Sequence, residues 1–165
     1  MTPAPILARQ QLRQAVLNAL QSANLGAKID SPGDWVSQTE TIPGILLRSP
    51  RSSKEPISRG APNYTSTITL EMESRVLANT AVDAQMEIEA LDAAIEQAVL
   101  TNGAFIQLVQ QLSIDTETEV TADGRNHFGG TKWTLRCEIC EVFDPYINPA
   151  VLYSPIDFEP QVTLS

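Results

Sequence analysis

A chain of 165 residues, 42% hydrophobic and 19% charged, has the composition of one ordinary globular domain and is too short for a second independent core. Twenty acidic against eleven basic residues give a net charge of −9, and the average field repels phosphate backbones and anionic membranes, which excludes tight wrapping of nucleic acid. No apolar run approaches the ~20 residues of a bilayer crossing and no signal peptide opens the chain, so the expected compartment is the cytosol, with Cys137 and Cys140 as free thiols.

From Ala8 to Leu25, Leu12, Ala15, Val16, Ala19, Leu20 and Ala23 fall at helical steps, and Gly26 follows where a left-handed cap stops a helix. Residues 27 to 42 read as an irregular crossing with a short strand near Lys28 to Asp30. Ile45, Leu46 and Leu47 predict a short buried strand. Residues 48 to 62 hold Pro50, Pro56, Gly60 and Pro62 among serines and basic residues, a composition that supplies no core and predicts a long mobile loop. Tyr64 to Val76 alternates, with Ile68, Leu70, Met72 and Val76 on one face, as a half-buried strand does. Thirteen residues at ~3.3 Å each is long for a small domain, so one end should project beyond the sheet body.

Thr80 with Asp83 marks a second helix start, and Ala84, Ile88, Leu91, Ile95 and Val99 form its apolar stripe. Asn102-Gly103 interrupts it, and Phe105, Leu108, Val109 and Leu112 predict a further short helix. Two alternating runs, Ile114 to Val120 and Trp133 to Ile139, predict a hairpin joined through Thr121 to Gly130, which carries Asp123-Gly124 and Gly129-Gly130. The order predicts an α+β fold, a mostly antiparallel sheet with helices on one face. Residues 1–144 then form the domain, with loop 48–62 inserted. Residues 145–165, with four prolines among apolar side chains, form an extended C-terminal interaction arm.

None of the reactive side chains stands in a catalytic pattern. Cys137 and Cys140 match C-x-x-C but lie within a predicted strand, where residues three apart face opposite ways and cannot share a metal. His127, the one histidine, sits in a glycine-bearing turn without a nucleophile motif. The run Asn126 to Gly130 lacks the P-loop spacing to Lys132. The reading is therefore no enzyme, no cofactor and no metal. Asp83, Glu87, Glu89, Asp92 and Glu96 crowd the second helix without a cation, as a solvated face or as one turned toward a basic partner or something anionic.

Several local phrases, in order, resemble a known family. Leu12-Arg-Gln-Ala-Val-Leu-Asn-Ala-Leu20 opens the domain, Pro43-Gly-Ile-Leu-Leu47 is the first core strand and Thr67-Ile-Thr-Leu-Glu-Met-Glu73 the long one. Ala90-Leu-Asp-Ala-Ala-Ile-Glu-Gln-Ala98, the Asp123-Gly124 turn and Trp133-Thr-Leu-Arg-Cys-Glu-Ile139 follow. From Arg9 to Asp144 this pattern resembles the tail terminators of long-tailed bacteriophages, the lambda minor tail protein U type. The resemblance implies a structural virion protein at the tail neck, assembled in the host cytoplasm. It implies a hexameric ring that caps the tail tube, stops its polymerisation and joins the tail to a head connector or neck protein. In contractile tails such a ring can also touch the sheath. DNA passes through without being held.

Two segments are expected to bind partners. Arg48, Arg51, Lys54 and Arg59 form a basic docking loop, and Tyr146, Ile147, Leu152, Tyr153, Ile156 and Phe158 are the anchors of the arm. The competing readings are another neck component, such as a head-completion or connector-adaptor protein, and a small ligand-binding domain.

Overall fold

The computed structural model describes residues 6–31, 42–60 and 62–143. Their order is α1 (Ala8–Ser22), β1 (Lys28–Asp30), β2 (Gly44–Pro56), β3 (Asn63–Ala78), α2 (Ala81–Leu100), α3 (Gly103–Ile106), β4 (Gln111–Asp123) and β5 (Asn126–Val142). One five-stranded sheet runs in the order β1-β2-β3-β5-β4, with β1 parallel to β2 and every other pair antiparallel. The fold is thus α+β.

Alternation along β3 decides which face meets the helices. Ser66, Ile68, Leu70, Met72, Ser74, Val76 and Ala78 are all buried, while the residues between them are half-buried on the opposite, open face. Register pairs Ile68 with Cys137, Leu70 with Leu135 and Met72 with Trp133, so β5 extends the same apolar surface. Leu12, Val16 and Leu20 of α1 and the stripe Ile88, Leu91, Ile95 and Val99 of α2 close the core over it. Thr80 caps α2, its Oγ1 accepting from the Asp83 amide at 3.1 Å, as its sequence position predicts.

Helix α1 ends at Ser22, three residues before the expected Leu25. Asn24 takes a left-handed conformation (φ 51°), which asparagine tolerates, and Gly26 (φ 69°) turns the chain into β1 rather than capping the helix directly. The expected mobile loop at 48–62 is mostly strand. Strand β2 continues to Pro56, pairing with β3 as far as Tyr64, and only residues 57–62 make the connection. Its distal half has no buried residue, so its order rests mainly on backbone pairing to β3, a force that side-chain composition does not reveal, with Lys54 adding polar contacts to Ser66 and Glu141 across the ribbon. The long β3 therefore projects as the centre of a three-stranded ribbon rather than as a lone strand end.

The third helix is a single turn. Asn102 Oδ1 accepts from the Phe105 amide at 3.0 Å, and the chain leaves helical geometry after Gln107. Leu112 belongs to β4, opposite Cys137, because pairing with β5 outweighs a helical spacing that a short turn followed by a strand also satisfies. The β4–β5 connection is tighter than the expected Thr121 to Gly130 span. Asp123 pairs with Asn126 around Gly124 (φ 63°) and Arg125, so His127 and Gly129-Gly130 lie in β5 instead of a loop. Positive φ at the first turn position is what a II′ hairpin requires. The arm residues 145–165 lie outside the described residues.

Candidate functional site

The sheet keeps the reactive side chains apart. Cys137 is buried in the core and Cys140 is exposed, so the C-x-x-C pair faces opposite ways as the strand period requires. Burial pushes the Cys137 thiol up to about 12. Alkylation of the native protein with iodoacetamide should therefore modify Cys140 alone, with the second thiol reacting only after denaturation; two equally fast thiols would contradict the packing. His127 is half-buried beside Ala78 and Ala122 at the start of β5. Among the described residues no group of three or more His, Cys, Asp or Glu is arranged to hold a metal. Among the same residues no helix is long and apolar enough to cross a membrane.

Where α2 passes over β5 toward the edge strand β4, a cleft of about 330 Å³ opens between Glu89, Asp92, Ala93 and Glu96 of the helix and Ile114, Thr116 and Trp133 of the sheet. Asp92 anchors its floor. Ser74 Oγ donates to Asp92 Oδ1 at 2.7 Å, and the Thr131 hydroxyl donates to Oδ2. With that proton committed, the 3.0 Å contact between Thr118 and Thr131 has Thr118 as donor. The indole of Trp133 reaches Ser74 Oγ at 3.4 Å. These bonds tie helix to sheet across an otherwise apolar seam and account for buried Ser74 and Thr131.

Desolvation raises the Asp92 pKa above its ordinary 3.8, outweighing the hydrogen bonds that lower it, with Glu89 adding to the rise. A group whose folded pKa is raised contributes stability that is full below the unfolded value and lost as pH climbs through the folded one. Asp92→Asn, which does not titrate, should therefore gain in melting temperature relative to the wild type as pH goes from about 3 to about 7. A gap that stays flat over thermal melts across that range would contradict the assignment.

The four basic residues expected in a docking loop are not gathered there. Arg48 is held at 2.8 Å by Glu71 across the strand pair, and Lys54 bonds Glu141, donates to Ser66 at 3.1 Å and lies 5.3 Å above the Phe143 ring. Two of the four thus stabilise the ribbon. Arg51, on β2, and Arg59, in the turn, are exposed and have no ion pair among the described residues. The six arm residues Tyr146 to Phe158 lie outside the described residues.

Strand order produces a pattern of charge that single segments do not show. Helix α2 carries five carboxylates and β4 four, without a Lys or Arg on either. At the other side, α1, β1 and β2 hold six Lys or Arg against Asp30 and Glu55. Since α1 packs over β2 while α2 packs over β3, β5 and β4, the domain has a basic edge and an acidic edge. The face between them is mostly polar, with Leu46 buried on it opposite Glu73, and no described helix covers it. Comparison with known protein families and with curated proteins finds no family model and no curated protein that matches the chain.

Proposed function

We propose that this chain is a structural assembly protein of the phage tail terminator type, a ring subunit that caps the tail tube, halts its polymerisation and offers the head a joining surface. The observation that carries the reading is the polarised sheet: helices cover one face, and the other, which no described helix covers, is mostly polar and lies between two oppositely charged edges that suit contact with other chains. The ordered phrases from Leu12 to Ile139 that resemble the family support it. Termination needs no chemistry. One ring face matches the last ring of the tube, and the other presents a surface that no further tube subunit fits, so growth stops while the neck gains a platform.

Head-to-tail contacts between identical subunits close into rings when the rotation closes. A net charge of −9 per subunit, multiplied around a ring, disfavours DNA sticking during passage. Electron microscopy of the purified protein, alone and mixed with growing tail tubes, tests the proposal. Rings should sit at tube ends and tubes should stop short in their presence. A chain that neither forms rings nor binds tube ends would sink it.

A further inference from the structure

We propose that the basic β2 edge of one copy docks against the acidic β4 edge of the next, Arg51 and Arg59 supplying the unpaired positive charge of the first edge and Glu117 and Glu119 the unpaired negative charge of the second. This rests on the assembly reading above and supplies the contact between its subunits. All four side chains are exposed and have no ion pair among the described residues, whereas Arg48 and Asp115 beside them are engaged by Glu71 and Arg136. Register places Arg51 and Glu117 on the same, open side of the sheet, since Arg51 pairs with Thr69 while Glu117 pairs with Lys132, itself opposite Glu73.

Three strand spacings separate β2 from β4, about 14 Å. That exceeds the ~8 Å Debye length at physiological salt, so the two edges of one molecule scarcely neutralise each other and each field is left to act on a neighbour. On β4 the carboxylates at 115, 117 and 119 stand side by side on one face; Asp115 is paired with Arg136 at 3.5 Å, Glu117 has Lys132 opposite it in register without an ion pair, and Glu119 stands opposite Gly130. An incoming guanidinium relieves that repulsion.

Charge also selects the symmetry. Two copies meeting β4 to β4 set carboxylate against carboxylate, and two meeting β2 to β2 set guanidinium against guanidinium, so both two-fold arrangements are opposed. The head-to-tail arrangement alone brings opposite signs together. It also continues the sheet's own alternation, because β2, β3, β5 and β4 run in turn in opposite directions and the next copy's β2 arrives antiparallel to β4. Pro50, Pro56 and the irregularity between Arg48 and Arg51 interrupt the row of amides on the outer edge of β2. The contact is therefore carried by side-chain charge rather than by a continuous ladder, and it weakens steeply with salt.

The test uses the full chain in two charge-reversed forms, Arg51→Glu with Arg59→Glu, and Glu117→Arg with Glu119→Arg, followed by sedimentation velocity. The wild type should self-associate at low salt and dissociate as salt rises. Each variant alone should associate at least ~10-fold more weakly. Mixing the two in equal amounts should restore assembly, because every interface in an alternating array again pairs opposite signs. Should a reversed form melt early, the Gln replacements at the same positions carry the test, each expected to weaken association. A wild type that is monomeric at low salt, reversed forms that assemble like the wild type, or a mixture that stays monomeric overturns the contact. Charge-dependent association without capping of tail tubes would leave the contact standing and sink the terminator reading; capping by both reversed forms would do the opposite.

Discussion

Phe105→Ala should lower the unfolding free energy by about 3–5 kcal/mol, the range for an aromatic side chain removed from a closed core. Phe105 is fully buried, on a helix of four residues that is far too short to be stable by itself. Its ring is what fixes that turn between α1 and α2, with Asn102 holding its amide. Loss of the ring leaves a cavity and frees the crossing from the helical layer to β4 at once. Against a typical total of roughly 5–15 kcal/mol the variant should melt about 10 °C lower or more, with denaturant dependence otherwise unchanged. A cost below about 1 kcal/mol would mean that α3 is a surface turn and not a part of the core.

Phe105 also shows which parts of this fold are legible in the chain. The stripe from Ala84 to Val99 and the alternation from Tyr64 to Val76 follow from periodicity, because each of these segments buries one face and water exposure imposes the period, whereas Phe105 belongs to a single turn too short to show one, and the helical spacing read through it to Leu112 does not hold. The distal half of β2 is different. Exposed on both faces, Arg51 to Pro56 carries no alternation, and it is ordered mainly by backbone pairing to β3, which leaves no hydrophobic period in the sequence, and by the bonds of Lys54 to Ser66 and Glu141. Leu112 fits a helical spacing and a strand equally well, and only its partner Cys137 on β5 decides. The charged edges were unreadable for a related reason. The carboxylates of β4 and the cations of β2 are plain in the sequence, but the order β1-β2-β3-β5-β4 is what sets them on opposite sides. Asp92 likewise reads as one more solvated carboxylate of an acidic helix until Ser74 and Thr131 are seen beneath it.

The pair Gly129-Gly130 looks like turn chemistry and serves a different end, which yields the second large effect. Both residues lie inside β5, opposite Val76 and Arg75. A Cβ on Gly129 would stand 2.9 Å from the Ala84 carbonyl oxygen, 2.9 Å from Val76 Cγ2 and 3.0 Å from Ile88 Cβ. The Ala84 oxygen is α2 backbone and the Ile88 Cβ is fixed to it, so neither can swing aside and the helix must lift. On the other face a Cβ on Gly130 would meet only the Ser74 carbonyl at 3.7 Å, an ordinary contact. Gly129→Ala should thus destabilise by about 1–3 kcal/mol and Gly129→Val by more, as overpacking does. Gly130→Ala should stay within about 0.5 kcal/mol of the wild type, since a strand alanine restricts the unfolded chain and meets nothing in the folded one. The neighbouring substitution is the control for loss of glycine as such. Denaturant titrations of the three variants check it. Because the lifted helix also carries Asp92 away from Ser74 and Thr131, the pH slope assigned to that carboxylate should shrink in Gly129→Val and persist in Gly130→Ala. Equal costs at the two glycines would show that α2 does not rest on Gly129, and the seat of the helix, the cleft beside it and the acidic edge it helps to build would have to be placed differently.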